Sequence, residues 1–195
     1  VYRFINDLPS KKIFLTREIA DFTFSMDYPE GRIHFDPDTY DRVLAIEPYT
    51  NDFVKNQINP IVLRNRDEIF SRHKSRDLLR IKNSKPVCFF SFSGHPNEYE
   101  AAYKTYSYLE DEGYTMIYTS NHNGGIFPII DYFNACDLLI CGAGYNSFWE
   151  AIYFEREAIF IPFPRLFEDQ RRRVAECQDY HFEENGADQL VDIIL

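Results

Sequence analysis

One run near the C-terminal end constrains the fold of this 195-residue chain more than any other. Cys136-Asp137-Leu138-Leu139-Ile140-Cys141 is largely apolar and leads into Gly142-Ala143-Gly144. A helix-compatible segment then starts at Tyr145, and a second apolar stretch, Ala158-Ile159-Phe160-Ile161, ends at Pro162. Strand, glycine turn, helix and strand in that order form the repeating unit of a parallel sheet, because parallel neighbours need a crossover connection. The same alternation runs upstream. Val87 to Phe92 reads as a strand, Glu98 to Leu109 as a helix closed by Gly113, and Thr115 to Tyr118 as a strand. A Gly124-Gly125 loop then precedes Ile126-Phe127-Pro128 and a short helix from Ile129. Downstream, a helix is expected from near Glu168 and an amphipathic one from Ala187 to Leu195. The pattern predicts an α/β fold, a Rossmann-like parallel sheet flanked by helices.

The first part of the chain reads differently. Lys12 to Leu15 and Arg42 to Ile46 look like two short strands separated by the turn-rich pieces Tyr28-Pro29-Glu30-Gly31 and Asp36-Pro37-Asp38. These elements are too few for a complete α/β domain, so residues 1–60 are expected to be the C-terminal remnant of an N-terminal one. Residues 61–86 read as a charged linker with a short helix from Arg66 to Leu79, and 87–195 as the Rossmann-like domain. The chain starts with Val1 rather than Met, as expected of a fragment or processed product with functional groups upstream.

Composition narrows the function classes. A formal charge of −10 argues against a broad nucleic-acid surface, which needs a basic face. No apolar run is long enough to span a bilayer and no signal peptide is visible. The four cysteines, Cys88, Cys136, Cys141 and Cys177, show no metal-ligand spacing and read as reduced core thiols, which places the expectation in the cytoplasm. The chain contains no metal cluster, Walker loop or Ser-His-Asp ordering, so neither a cofactor nor a metal is expected.

The chemistry gathers where the strands end. A strand feeding a glycine turn at a helix N-terminus is an anion site, since unpaired amides and the helix dipole face the same point. Gly144, Asn146 and Ser147 supply that turn. Glu150 lies three residues after Ser147 and leans back toward the helix start. A carboxylate there would repel phosphate and is better suited to accepting hydrogen bonds from hydroxyls. Asp169 and Gln170, after the strand and Pro162, add an acid and an amide able to read further hydroxyls. Diphosphate plus hydroxyls points to a nucleotide-sugar.

These residues carry a resemblance. Gly142-Ala143-Gly144-Tyr145-Asn146-Ser147, then Glu150-Ala151, Pro162 and Asp169-Gln170 resemble the C-terminal, donor-binding half of GT-B glycosyltransferases, the family 28 type that includes the N-acetylglucosaminyltransferase acting on the lipid-linked peptidoglycan precursor. Ser91-Phe92-Ser93-Gly94 resembles the glycine-serine loop of that group. The resemblance implies a sugar transferase with a UDP-linked donor. It places the diphosphate on Ser93, Gly94, Gly144, Asn146 and Ser147, the ribose on Glu150, the sugar on Asp169 and Gln170, and the base on Phe127 and Ile129. The acceptor is unspecified, and the acceptor site and catalytic base would lie in a separate or upstream domain.

The chain departs from that pattern in two places. Its Ser93 loop has one glycine followed by His95-Pro96, and Arg171-Arg172-Arg173 stands where the family has neutral residues and an Asn. That arginine run is expected to be a solvated helix face balanced by Glu168, Asp169 and Glu176. His95 and His122 read as solvated loop histidines, and Thr119 and Ser120 as lesser candidates. Alternatives are a nucleotide-sugar hydrolase or epimerase of the same fold, and a non-enzymatic nucleotide-sugar-binding subunit.

Overall fold

Five short strands occur among the described residues of the first sixty: Ile13–Thr16 (β1), Ser25–Tyr28 (β2), Gly31–His34 (β3), Arg42–Ala45 (β4) and Asn56–Gln57 (β5). The computed structural model describes residues 8–17, 21–28, 31–48, 54, 56–122 and 124–195. β4 pairs in parallel with β1 on one side, Ile13 opposite Arg42 through Thr16 opposite Ala45, and with β5 on the other. The two expected strands are therefore present within a residue of their predicted bounds. The antiparallel hairpin of β2 and β3 is new. It flanks the expected Tyr28–Gly31 turn, whose Pro29 and Glu30 lie outside the described residues, as does Val1. A turn was legible there, but the mixed polarity around it carried no period-two signal. The Asp36 turn is a capped 3-10 segment, Pro37–Thr39, with Asp36 Oδ1 accepting from Asp38 N at 3.0 Å. Phe14 packs against Phe35 and Tyr40, with ring centroids at 4.5 and 5.2 Å, and Phe35 is buried.

The chain divides into two compact units. The strands above belong to a unit made of Val1–Ile61, Pro164–Asp169 and Glu184–Leu195, and the remainder, Val62–Phe163 with Gln170–Glu183, forms the other. The C-terminal helix, Gly186–Ile194, thus groups with the first sixty residues. Asn59 N donates to Gln189 Oε1 at 2.7 Å, Asn59 Nδ2 donates to the Glu184 carbonyl at 2.9 Å, and Gly186 N donates to the Pro60 carbonyl at 3.1 Å. Asn185 caps the helix by accepting from Ala187 N. The approach is close enough that a Cβ on Gly186 would lie 1.9 Å from the Asn59 carbonyl oxygen.

The larger unit begins at Val62 and includes the charged passage. Its helix, Arg72–Leu78 (α1), is shorter than the sequence suggested and starts where Ser71 Oγ accepts from Lys74 N. The charges here make specific pairs. Arg64 meets Asp131 at 2.9 Å and Arg72 meets Asp137 at 2.8 Å, while Asp137 also accepts from Val87 N. Phe70 bonds through its amide to the Asp131 carbonyl and stacks edge-on against Tyr132, so this stretch packs on the 3-10 segment Ile129–Ala135.

Four parallel strands follow: Val87–Phe92 (β6), Thr115–Ser120 (β7), Leu138–Gly142 (β8) and Ala158–Ile161 (β9), in the order β7-β6-β8-β9. Side chains alternate between faces. Cys88, Phe90 and Phe92 of β6 with Leu138 and Ile140 of β8 form one face, covered by Tyr99, Ala102 and Tyr106 of the helix Pro96–Tyr106 (α2). On the other face, Phe89 meets Phe133, and Phe160 meets Phe148 of the helix Tyr145–Tyr153 (α3) at 4.5 Å. Trp149, fully buried, sits among Phe148, Tyr180 and Phe182. Helices on both faces of a parallel sheet make this unit the expected Rossmann-like α/β arrangement. All four cysteines are buried, and none forms a disulfide. Burial pushes the Cys88 and Cys136 thiols up to about 12, which leaves them as inert core groups. No helix among the described residues is long and apolar enough to cross a membrane.

The Gly186 contact gives a direct test of the first unit. Gly186→Ala forces a methyl onto backbone rather than onto a side chain that could move, and should lower stability by about 2 kcal/mol or more in urea unfolding. Gly144→Ala, whose Cβ would meet nothing nearer than Gln170 Nε2 at 3.9 Å, should stay within about 0.5 kcal/mol of the parent.

Candidate functional site

The strand order fixes where a ligand would sit. From β6 the chain steps outward to β7, then returns past β6 to β8 and continues to β9 on the opposite side. The reversal lies between β6 and β8, and open α/β sheets bind ligands in the crevice at the carboxyl ends of such a pair. Register runs from Cys88 opposite Leu138 to Ser91 opposite Cys141, so Ser93-Gly94 and Ala143-Gly144 leave the sheet side by side. Ser93, Gly94, Gly144, Asn146 and Ser147, widely separated in sequence, therefore come to one edge.

The two loops differ in how much of their hydrogen bonding is already satisfied. After β6, Glu98 Oε2 accepts from His95 N at 3.0 Å and closes the start of α2. The Nε2–H of His122 donates to the Gly94 carbonyl, joining the β7 loop to the β6 loop. Thr119 Oγ1 bonds both the amide and the carbonyl of Ile126 and braces that β7 loop. His122 and Thr119 thus have structural work that the sequence did not reveal.

After β8 the donors are open. Gly144 caps α3 without a side-chain bond, and the first amide bonded within the helix is Phe148 N, to the Gly144 carbonyl at 3.0 Å. The N–H groups of Gly144, Asn146 and Ser147 have no hydrogen-bond partner among the described residues, and neither does the Ser147 hydroxyl. Three such donors at a helix N-terminus, reinforced by its dipole, favour an anion. Gly144 itself has φ −65° and ψ 156°, ordinary extended backbone. Neither conformation nor packing demands a glycine there.

Glu150, one turn further along α3, is half-buried, and its carboxylate makes no hydrogen bond or ion pair with any described residue. Burial pushes its carboxyl up to about 7. It lies near enough to Cys141, at the carboxyl end of β8, to raise that thiol further on top of the larger effects of burial and Cys136. A desolvated, unpartnered carboxylate is costly unless something else supplies donors.

The remaining candidates are placed as follows. Gln170 opens the helix Gln170–Cys177 (α4), is 3% exposed, and accepts from Phe163 N through Oε1 at 2.9 Å. It therefore pins the chain leaving β9 while its Nε2 faces the Gly144 turn. Asp169 is exposed and belongs to the other compact unit. Ile129 starts the 3-10 segment, half-buried, and Phe127, two residues earlier, is 94% exposed.

The arginine run requires a correction. Arg171 and Arg172 are exposed, and Arg172 pairs with Glu176 at 3.0 Å as a solvated face should. Arg173 is not part of that face. It is fully buried, and its Nη1 donates to the Ala143 carbonyl at 2.9 Å. Gln170, Arg173 and Cys177 share the inner side of α4 at helical spacing. That spacing was the available signal, masked by two arginines that do face water.

Residues 95–189, just under half of the chain, match the family model of the Glycosyltransferase family 28 C-terminal domain. Ser93 and Gly94 lie just before the matched segment. No curated protein and no solved structure matches the chain.

Glu150 makes stability depend on pH in a defined direction. Its folded-state carboxyl holds a proton more tightly than the unfolded chain does, so its contribution to folding is fully present below about pH 4.5 and is lost as pH rises through about 7. Glu150→Gln should unfold at higher urea than the parent at pH 8, by on the order of 1–2 kcal/mol after solvent screening, and converge with it in acid. Parallel curves at every pH would refute the burial argument.

Proposed function

From the match of residues 95–189 to the glycosyltransferase family 28 C-terminal domain, we propose that this chain binds the nucleotide-sugar donor of a GT-B glycosyltransferase. The observation that carries the proposal is the Glu150 carboxylate, half-buried and unpartnered, one turn from the open amides of Gly144, Asn146 and Ser147. A nucleoside diphosphate satisfies both at once. Its phosphates accept from the amides and the Ser147 hydroxyl, and its ribose hydroxyls donate to Glu150. Ser93 and Gly94 face the same phosphates from the β6 loop. Phe127, with its exposed ring, and Ile129 contact the base. Gln170 and its chain neighbour Asp169 read the sugar. The donor we expect is UDP-linked, with N-acetylglucosamine as the sugar.

The chemistry asked of these groups is electrostatic. As the bond from the anomeric carbon to the phosphate oxygen breaks, negative charge grows on the leaving diphosphate. Amides already aimed at that point stabilise it without reorganising. The acceptor oxygen bonds to the anomeric carbon and gives up its proton to a base that we assign to a separate or upstream acceptor-binding domain. This chain alone is therefore expected to transfer little or no sugar, and robust turnover by it would overturn that division of labour. A cytoplasmic location fits reduced thiols at all four cysteines.

Calorimetric titration with UDP, UDP-GlcNAc, UDP-glucose, GDP-mannose and dTDP-sugars tests the donor site. Saturable binding of one nucleotide class, weakened about tenfold or more by Glu150→Ala, is the expected result. Because the doubly esterified diphosphate of a nucleotide-sugar does not titrate near neutrality, its affinity should rise with pH across about 7 as Glu150 ionises and accepts more strongly. A folded chain that binds none of these ligands would refute the proposal.

A further inference from the structure

A fully buried arginine is uncommon, since its guanidinium must be desolvated and cannot shed its charge. Arg173 is 0% exposed and sends Nη1 to the Ala143 carbonyl, in the middle of the turn between β8 and α3. The Ala143 amide is also held, donating to the Ile161 carbonyl at 3.0 Å. In a trans peptide the C=O and the following N–H point in opposite directions. An arginine that fixes the Ala143 carbonyl on the α4 side therefore aims the Gly144 N–H away from α4. That N–H is one of the three without a partner among the described residues.

The same helix face acts a second time on this turn. Gln170, one turn earlier, holds Phe163 N and brings its Nε2 near Gly144. The inner side of α4 thus braces both the β8 exit and the β9 exit with polar groups, where a leucine would have filled the space without orienting anything.

We propose that Arg173 is a positioning residue for the phosphates of the ligand. Its hydrogen bond to the Ala143 carbonyl sets the direction of the Gly144 amide. This rests on the donor-site reading above. It adds that recognition of the diphosphate depends on a buried side chain that does not touch the ligand.

The test separates phosphate from nucleoside in the full 195-residue chain. Dissociation constants for UDP, GDP and dTDP, each against its own nucleoside, are measured by NMR titration for the parent, Arg173→Met and Arg173→Lys. Arg173→Met should weaken the preferred nucleoside diphosphate about tenfold or more and leave the nucleoside within about twofold. Arg173→Lys, which keeps the charge and loses the planar fork, should fall between. Equal weakening of diphosphate and nucleoside would reduce Arg173 to general scaffolding, and unchanged affinities would remove its role altogether. Either result overturns the proposal while leaving the donor site standing. A parent chain that binds no nucleoside diphosphate overturns both. Should Arg173→Met fail to fold, the same comparison is read from Arg173→Lys, where selective loss of diphosphate affinity supports the role and uniform or absent loss refutes it.

Discussion

The parallel pairing of β6 with β8, set by the register of Cys88 with Leu138 through Ser91 with Cys141, is the constraint from which the candidate site follows. Parallel neighbours end at the same edge, so their outgoing loops are adjacent however far apart they are in sequence. Because β7 lies on the far side of β6, the chain must cross back, and no connection covers the gap between the loops after β6 and β8. Val87–Phe90 of β6 and Leu138–Cys141 of β8 are apolar and buried on both faces, which fixes the register. A slip by one residue would exchange the faces and place Phe90 where Phe89 now packs.

On that frame the two loops have opposite characters. The β6 loop is closed on itself by Glu98 and His122, whereas the start of α3 keeps its amides open and carries a carboxylate with no protein partner. Local satisfaction of polar groups is the normal state of a folded chain. Concentrated exceptions at one edge of one sheet mark where the fold leaves bonding capacity for something else.

Much of this was legible in the sequence because it is periodic or punctuated. Ala158–Ile161 and Val87–Phe92 are apolar runs that leave little alternative to strands, and Gly142-Ala143-Gly144 marks the turn between β8 and α3. What escaped depends on geometry between distant residues. Nothing local to Arg173 distinguishes it from Arg171 and Arg172 except its phase on a helix that begins two residues beyond the Glu168 start expected from sequence. His122 reads as a solvated loop residue until the sheet brings Gly94 beside it. The hairpin of β2 and β3 has four-residue strands of mixed polarity, so pairing rather than pattern defines it. The C-terminal helix was recognisable as amphipathic, but only the bonds from Asn59 and Gly186 show which unit its inner face completes.

The C-terminal helix also has a consequence for the order of folding. Val62–Phe163 is nearly all of one unit and is contiguous, so its contacts close over short stretches of chain. The strands among the first sixty residues are completed instead by Asn59 and Pro60 meeting Glu184, Gly186 and Gln189, more than a hundred residues away in sequence. Closing so long a loop costs entropy before any contact repays it, so the unit built on the short strands is the slower of the two to assemble.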